Sequence, residues 1–428
     1  MTDVLLVAPP MQSPAAQSSF NALCPPLGLG YLAACLLKEG ISVEIADLSK
    51  QADPWTFLSR TIERTSPPFV GITCVTQNYT LGLKAAEVIR TMAPRAFVAM
   101  GGPHTTYRYE DVLTKKTVDV VVRFEGEKSV VQLFHHVTNK TPDLNLINGV
   151  AFRDGDRILK TPHRKHEESL DDIPFPARHL MPMATYGRPG TIMTSRGCPY
   201  KCIFCISSTY EGNYRMRSPE NVIAELVMLR EIWGLREIYF IDNVFTASSE
   251  RVQQICHQLV DLKLDIRFHC VCRLDLITPE LVEMLKDAGC IGMEIGVESG
   301  DQEVINSMNK HISVSDVLRA TDIVVGARIQ PMFTFQIGSP FDRPESVAKT
   351  QALAAQVRGK GAIAFFSIMT PFPGTPLADR AQEYGIHIHD VPWSEYRTSN
   401  PITDNPHLKR QDFRRALYEE AIRSGVIY

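Results

Sequence analysis

No stretch of this chain is apolar for long enough to span a membrane, and nothing at its start reads as an export signal. The opening Met1-Thr-Asp-Val-Leu-Leu-Val-Ala-Pro-Pro10 has an apolar run shorter than a signal-peptide core, with an acid before it and prolines after it. A cytoplasmic protein without a membrane span is the expectation. A dominant charge is also missing: 45 Lys and Arg stand against 48 Asp and Glu, and a net charge of -3 gives no electrostatic basis for binding nucleic acid. There is no low-complexity tract. What remains is ordinary for a globular protein, 428 residues with 44% hydrophobic and 22% charged, enough for two or three domains.

Ten cysteines without an export signal read as reduced thiols, not as a disulfide framework. Three of them carry chemistry. The run Gly190-Thr-Ile-Met-Thr-Ser-Arg-Gly-Cys198-Pro-Tyr-Lys-Cys202-Ile-Phe-Cys205 has C-x3-C-x2-C spacing after a short β-rich segment and a glycine, which predicts a loop at the carboxyl end of a strand. Thiolates are soft ligands suited to iron-sulfur clusters, and three on a cubane of four irons leave the fourth iron without a protein ligand. Two other readings stay open on spacing alone. Structural zinc wants four ligands, and no histidine lies between His179 and His257 to complete such a set nearby. A redox pair of Cys202 and Cys205 leaves Cys198 unexplained. Cys24, Cys35, Cys74 and Cys256 read as buried small apolar residues. Cys270, Cys272 and Cys290 fall on or beside predicted strands of the second domain, and the sequence assigns them no role.

The cysteine run, with Phe204 just before its last cysteine, resembles the signature of the radical SAM superfamily. The resemblance implies a 4Fe-4S cluster on Cys198, Cys202 and Cys205, whose open iron chelates S-adenosylmethionine (SAM). Electron transfer through it then gives a 5'-deoxyadenosyl radical, with the protein supplying placement and exclusion.

Residues 1–140 alternate short β-branched runs (Val4–Ala8, Val43–Ala46, Val70–Val75, Phe97–Met100, Val118–Val122) with helical patterns such as Leu29–Lys38. This predicts an α/β fold, a five-stranded, doubly wound parallel sheet of Rossmann-like type. Ligands of such sheets sit beyond the strand carboxyl ends. Here those ends are Pro9-Pro10-Met11, Thr76-Gln77-Asn78-Tyr79, Gly101-Gly102-Pro103-His104 and Phe124-Glu125-Gly126-Glu127. Gly101, Gly102 and Gly126 either let backbone approach a ligand or only make tight turns. The set Pro25–Leu32, Gly101–His104 and Glu125–Glu127 is similar to the cobalamin-binding domain preceding the radical core in cobalamin-dependent radical SAM enzymes. The resemblance implies cobalamin contacts from Thr76, Gln77, Asn78, Gly101, Gly102, Pro103, His104, Glu125, Gly126 and Glu127. This chain lacks the D-x-H-x-x-G motif that supplies a cobalt-ligating histidine in other cobalamin enzymes, and Phe124 stands where the family usually has glycine. Cobalamin without a histidine on cobalt is therefore expected, with Thr76, Gln77 or Asn78 nearest its lower face.

Residues 141–189 read as a hairpin about Asp154-Gly155-Asp156 followed by a charged, proline-dotted linker in which His163, His166 and His179 are solvated or capping residues. From Gly190 to about 385 the βα alternation recurs about six times, with strands at Thr191–Thr194, Glu237–Ile241, Ile266–Val271, Gly292–Val297, Met332–Ile337 and Ala364–Met369, which predicts a partial (β/α)6 barrel. Chemistry in such barrels sits at the strand carboxyl ends. That rule selects Asp242-Asn243, Arg273 with Asp275, Glu298-Ser299, Gly338-Ser-Pro340 and Pro371–Pro376, each of which could instead cap a helix. Gly292–Gly300 and Pro371–Thr375 are similar to segments of this enzyme group. With Phe204, they imply SAM contacts from Asp242, Asn243, Arg273, Glu298 and Ser299. The Gly-Gly-Glu run that often follows the second strand is absent, Asp242-Asn243 taking its place. Residues 386–428 form a tail whose helix Arg410–Ser424 is expected to close the bottom of the barrel.

The resemblance implies a cobalamin-dependent radical SAM enzyme, a C-methyltransferase on an unactivated carbon using the 5'-deoxyadenosyl radical and methylcobalamin. Its expected partners are a small-molecule or peptide substrate and a flavodoxin or ferredoxin-type electron donor. A non-methylating cyclase or oxidoreductase of the same class is the alternative, and a non-catalytic iron-sulfur module is a third reading. The sequence names no residue acting on the substrate.

Overall fold

The computed structural model describes residues 2–11, 23–167 and 169–424. The chain divides into two compact units, Met1–Pro189 and Gly190–Tyr428.

In the first unit, β1 (Val4–Ala8), β2 (Val43–Asp47), β3 (Phe69–Thr73), β4 (Phe97–Gly101) and β5 (Val120–Val122) are parallel, in the order β2-β1-β3-β4-β5. Every residue of β1 is buried, as a strand covered on both faces requires. Helices Leu27–Lys38, Pro54–Thr65, Tyr79–Met92 and Glu127–Asn139 supply the covers. Asp53 caps the second of these, accepting from Thr56 N at 3.2 Å with Pro54 in the first turn.

The sheet does not stop at five strands. The hairpin β6 (Val150–Asp154) and β7 (Arg157–Lys160) adds to β5 antiparallel, giving seven strands in all. The apolar face of β6 (Val150, Ala151, Phe152, all buried) is what makes it a sheet member and not a linker. The segment after it is likewise fixed to this unit: Ala177 N donates to Gly30 O at 3.0 Å and the Tyr186 hydroxyl to Asp47 at 2.7 Å.

In the second unit, β8 (Thr191–Ile192) leads into β9 (Ser195–Arg196), which pairs antiparallel with β10 (Arg215–Met216). The main sheet continues through β11 (Glu237–Phe240), β12 (Arg267–Arg273), β13 (Cys290–Glu298), β14 (Gln330–Ile337) and β15 (Ile363–Ile368). These run with β8 as six parallel strands in the order β8-β11-β12-β13-β14-β15. Thr278 caps helix Pro279–Asp287, accepting from Leu281 N at 3.2 Å. Tail helix Arg410–Ser424 lies against β15 and β14. It packs beside helix Pro344–Gly359, with Glu420 fully buried against Arg358 at 2.8 Å and Phe413 and Leu417 in the barrel core. Among the described residues no helix is long and apolar enough to cross a membrane.

Candidate functional site

The cysteine run leaves β9 through Gly197, whose φ of +78° and close packing admit no side chain: a Cβ there would lie 2.5 Å from Asn213 O. Its N–H donates to Glu211 Oε2 at 2.6 Å. The loop is laced at several further points. Ile203 N donates to Met308 O at 3.2 Å, Asn309 Nδ2 to Lys201 O at 2.7 Å, and Leu377 N to Ile203 O at 2.9 Å. Phe204 packs against the barrel core. Burial pushes the Cys198 thiol up and the Cys202 thiol up to about 11. Thiols so placed give up their protons when a metal takes the sulfur. Among the described residues no three His, Cys, Asp or Glu side chains are grouped to hold a single ion.

Several strand-end residues expected to meet SAM are also hydrogen-bonded within the protein. Asp242 is buried and receives Thr194 N at 2.6 Å, Ser195 N at 3.1 Å and the Thr194 hydroxyl; both its oxygens are occupied in holding the exit of β8. Burial raises its pKa against those hydrogen bonds. Asn243 gives its amide to Gly197 O (3.2 Å) and Glu211 (2.7 Å) and accepts from Ser207 at 2.8 Å, so it too is committed to the cysteine loop. Ser299 is buried against Thr350 (3.1 Å) and accepts from Asp301 N at 3.1 Å. Arg273 stacks its guanidinium 3.5 Å from the centroid of Tyr200, inside the cysteine run, while bonding Asp275 at 2.9 Å and Lys310 O at 2.7 Å.

Glu298 is different. The register of β13 slips between Gly296 and Glu298, and Glu298 has a φ of +70°. Its Oε1 accepts from Lys310 Nζ at 2.5 Å, both side chains being almost fully buried. Its Oε2 is buried with no hydrogen-bond partner in the structure. A buried, unpartnered carboxylate oxygen is costly unless something donates to it. Lys310 is the site residue that sequence reasoning missed; its one signal was a lysine soon after the Gly292–Gly300 segment, and only the fold brings it back to β13.

In the first unit, Asn78 closes its own loop, accepting from Val75 N at 2.9 Å and reaching Pro9 O at 3.5 Å. Thr76 Oγ1 lies 3.2 Å from Nδ1 of buried His104, whose ring packs tilted on Tyr79 with 4.3 Å between centroids. Burial holds His104 neutral, its pKa lowered to about 4. Gln77 is half-buried between these two. Gly102, with φ +110°, has no room for a Cβ beside Cys74 O (2.3 Å), so a tight turn accounts for it; Gly101 is less crowded. Pro103 and Glu127 each open a helix, and Gly126 packs on Leu32. Phe124 takes a φ of +63°, the conformation for which glycine is better suited. His163 is exposed, as expected, and His166 is half-buried. They pack on the Phe124 ring, 4.1 and 6.4 Å between centroids, and His166 pairs with Glu125 at 3.2 Å. His179 is exposed.

Residues 192–354 match the family model of the Radical SAM superfamily, and residues 16–134 that of the B12 binding domain. An uncharacterized methyltransferase of Pyrococcus horikoshii is 30% identical over 420 residues, covering 97% of this chain and 90% of that protein. The chain belongs to the cobalamin-dependent radical SAM enzymes. The anaerobic magnesium-protoporphyrin IX monomethyl ester cyclase of Cereibacter sphaeroides is 25% identical over 401 residues, 90% of this chain and 64% of that protein. The fold is that of the radical SAM methyltransferase TsrM from Kitasatospora setae, with a TM-score of 0.81, 20% identity and coverage of 98% of this chain and 91% of that one. As a radical SAM enzyme with a B12 binding domain, the protein uses a 4Fe-4S cluster, SAM and cobalamin. The residues present fit the first two groups: soft thiols on one loop, and a buried carboxylate oxygen lacking a donor. Cys270, Cys272 and Cys290 stand apart, buried in the barrel core with Cys270 Sγ 3.7 and 4.0 Å from its neighbours' sulfurs.

Proposed function

We propose that this enzyme is a C-methyltransferase acting on an unactivated carbon of a small-molecule or peptide substrate. When bound, the cluster and SAM supply the 5'-deoxyadenosyl radical, and cobalamin supplies a methyl-carrying cobalt. Cys198, Cys202 and Cys205 hold the cluster, and Phe204 wedges their loop against the barrel core. Glu298 accepts a hydrogen bond from SAM on Oε2. Asp242, Asn243 and Arg273 act one step removed, keeping the cysteine loop and the Lys310 segment in place. In the first unit, Gln77, Gly101 and the Glu125–Glu127 turn are the strand-end groups assigned to cobalamin. His104 stays with Thr76 and Tyr79 and leaves cobalt without a histidine.

The observation that carries methyl transfer is the similarity, along nearly the whole chain, to a protein named as a methyltransferase. The likeness to a cyclase over 90% of this chain keeps a ring-forming outcome as the second reading. A flavodoxin or ferredoxin in the cytoplasm would deliver the electron. The test is anaerobic turnover with SAM carrying a trideuterated methyl group and a metabolite extract of the source cell. Methyl transfer yields a product heavier by that labelled group, whereas an unlabelled product that has lost hydrogen would establish the cyclase reading in its place.

A further inference from the structure

Lys310 joins three parts of the radical site. Its segment runs along the cysteine loop, with Met308 O accepting from Ile203 N at 3.2 Å and Asn309 Nδ2 donating to Lys201 O at 2.7 Å. Its own carbonyl is held at 2.7 Å by Arg273, the guanidinium that stacks on Tyr200 between the first two cluster cysteines. Its ammonium reaches Glu298 Oε1 at 2.5 Å and leaves Oε2 as the buried oxygen without a partner. The sequence makes room for this. A Cβ on Gly296 would sit 2.6 Å from both Lys310 Nζ and Glu298 Oε1.

A buried lysine-carboxylate pair is weak evidence for stability, because desolvation offsets most of the attraction. Its defined geometry is better explained by what it orients.

We propose that Lys310 is a positioning residue of the radical site, with two effects: it turns Glu298 so that Oε2 faces bound SAM, and it sets a fixed positive charge beside the cysteine loop that seats the cluster. The inference rests on the assignment of Glu298 to SAM but not on which radical product follows. A positive charge near a cluster stabilises the reduced, more negative form, so its removal lowers the reduction potential.

The test uses the anaerobically reconstituted full chain and the variants Lys310→Met, Lys310→Arg and Glu298→Gln. Lys310→Met is expected to keep its iron, to bind SAM at least tenfold more weakly and to show a lower cluster midpoint potential in a dithionite titration followed by electron paramagnetic resonance. Lys310→Arg restores the potential. Parent-like affinity and potential in Lys310→Met would overturn the proposal. If Lys310→Met fails to hold iron, the double variant Lys310→Met/Glu298→Gln removes the unpaired buried charge. Its potential should lie below that of Glu298→Gln alone, and equal potentials, or failure of this variant also to hold iron, would reduce Lys310 to a structural residue. Undiminished SAM affinity in Glu298→Gln with a lowered potential in Lys310→Met would remove the Glu298 assignment and the orienting role while leaving the charge effect standing.

Discussion

Cys198, Cys202 and Cys205 share one loop, while Cys256 sits in helix Ser249–Leu262 facing the core. Alanine at any of the first three is therefore expected to abolish the visible absorption of the reconstituted cluster. Cys256→Ala should leave it and cost only about 1 kcal/mol of stability through lost burial. A full four-iron cluster in the triple variant would refute the ligand assignment. Glu298→Ala strands the buried Lys310 ammonium, a loss of roughly 3–5 kcal/mol, so Glu298→Gln is the cleaner probe. It should retain iron while SAM affinity falls about tenfold or more, measured by calorimetry. His104 gives a pH signature. Because the folded state lowers its pKa from 6.5 to about 4, the unfolded chain binds the extra proton between those values. Stability should fall as pH drops through that window and level off below it, by on the order of 3 kcal/mol. Urea midpoints that fall equally in His104→Gln would contradict this.

Elements decide which strand-end residues a ligand can reach. The six-strand order and the position of Asp242, Arg273 and Glu298 at strand ends were legible from periodicity and turn residues. Their division of labour was not, because it depends on loops folding back. Asp242 is taken by Thr194 and Ser195 from the neighbouring strand exit, and Asn243 by Gly197 and Glu211. No spacing rule reports such pairings. Lys310 was hidden for the same reason, since it meets Glu298 only through the register slip in β13. That slip gives a prediction for an element. Gly296→Ala should drive the Glu298–Lys310 pair apart and weaken SAM binding, with iron content unchanged; undiminished affinity would show that the pair need not be held in this geometry.

At the scale of the molecule, the alternation of apolar runs and helices revealed two α/β units with parallel sheets, while the order β2-β1-β3-β4-β5 is seen only in the structure. The hairpin at β6 and β7 was visible too, but its attachment to the sheet edge was not, because a short apolar strand does not announce its partner. Likewise His166 looked solvated in a charged stretch yet is half-buried against Phe124, whose ring the exposed His163 also touches. The proposed movement of methyl groups through cobalamin can be examined before any substrate is known. The enzyme, reconstituted with its cluster and hydroxocobalamin, is given a low-potential reductant and SAM with a trideuterated methyl group, and the cobalamin is then extracted for mass analysis. The account predicts cobalamin bearing the labelled methyl group, formed together with S-adenosylhomocysteine. Cobalamin that is retained but unlabelled, while 5'-deoxyadenosine accumulates, would contradict it.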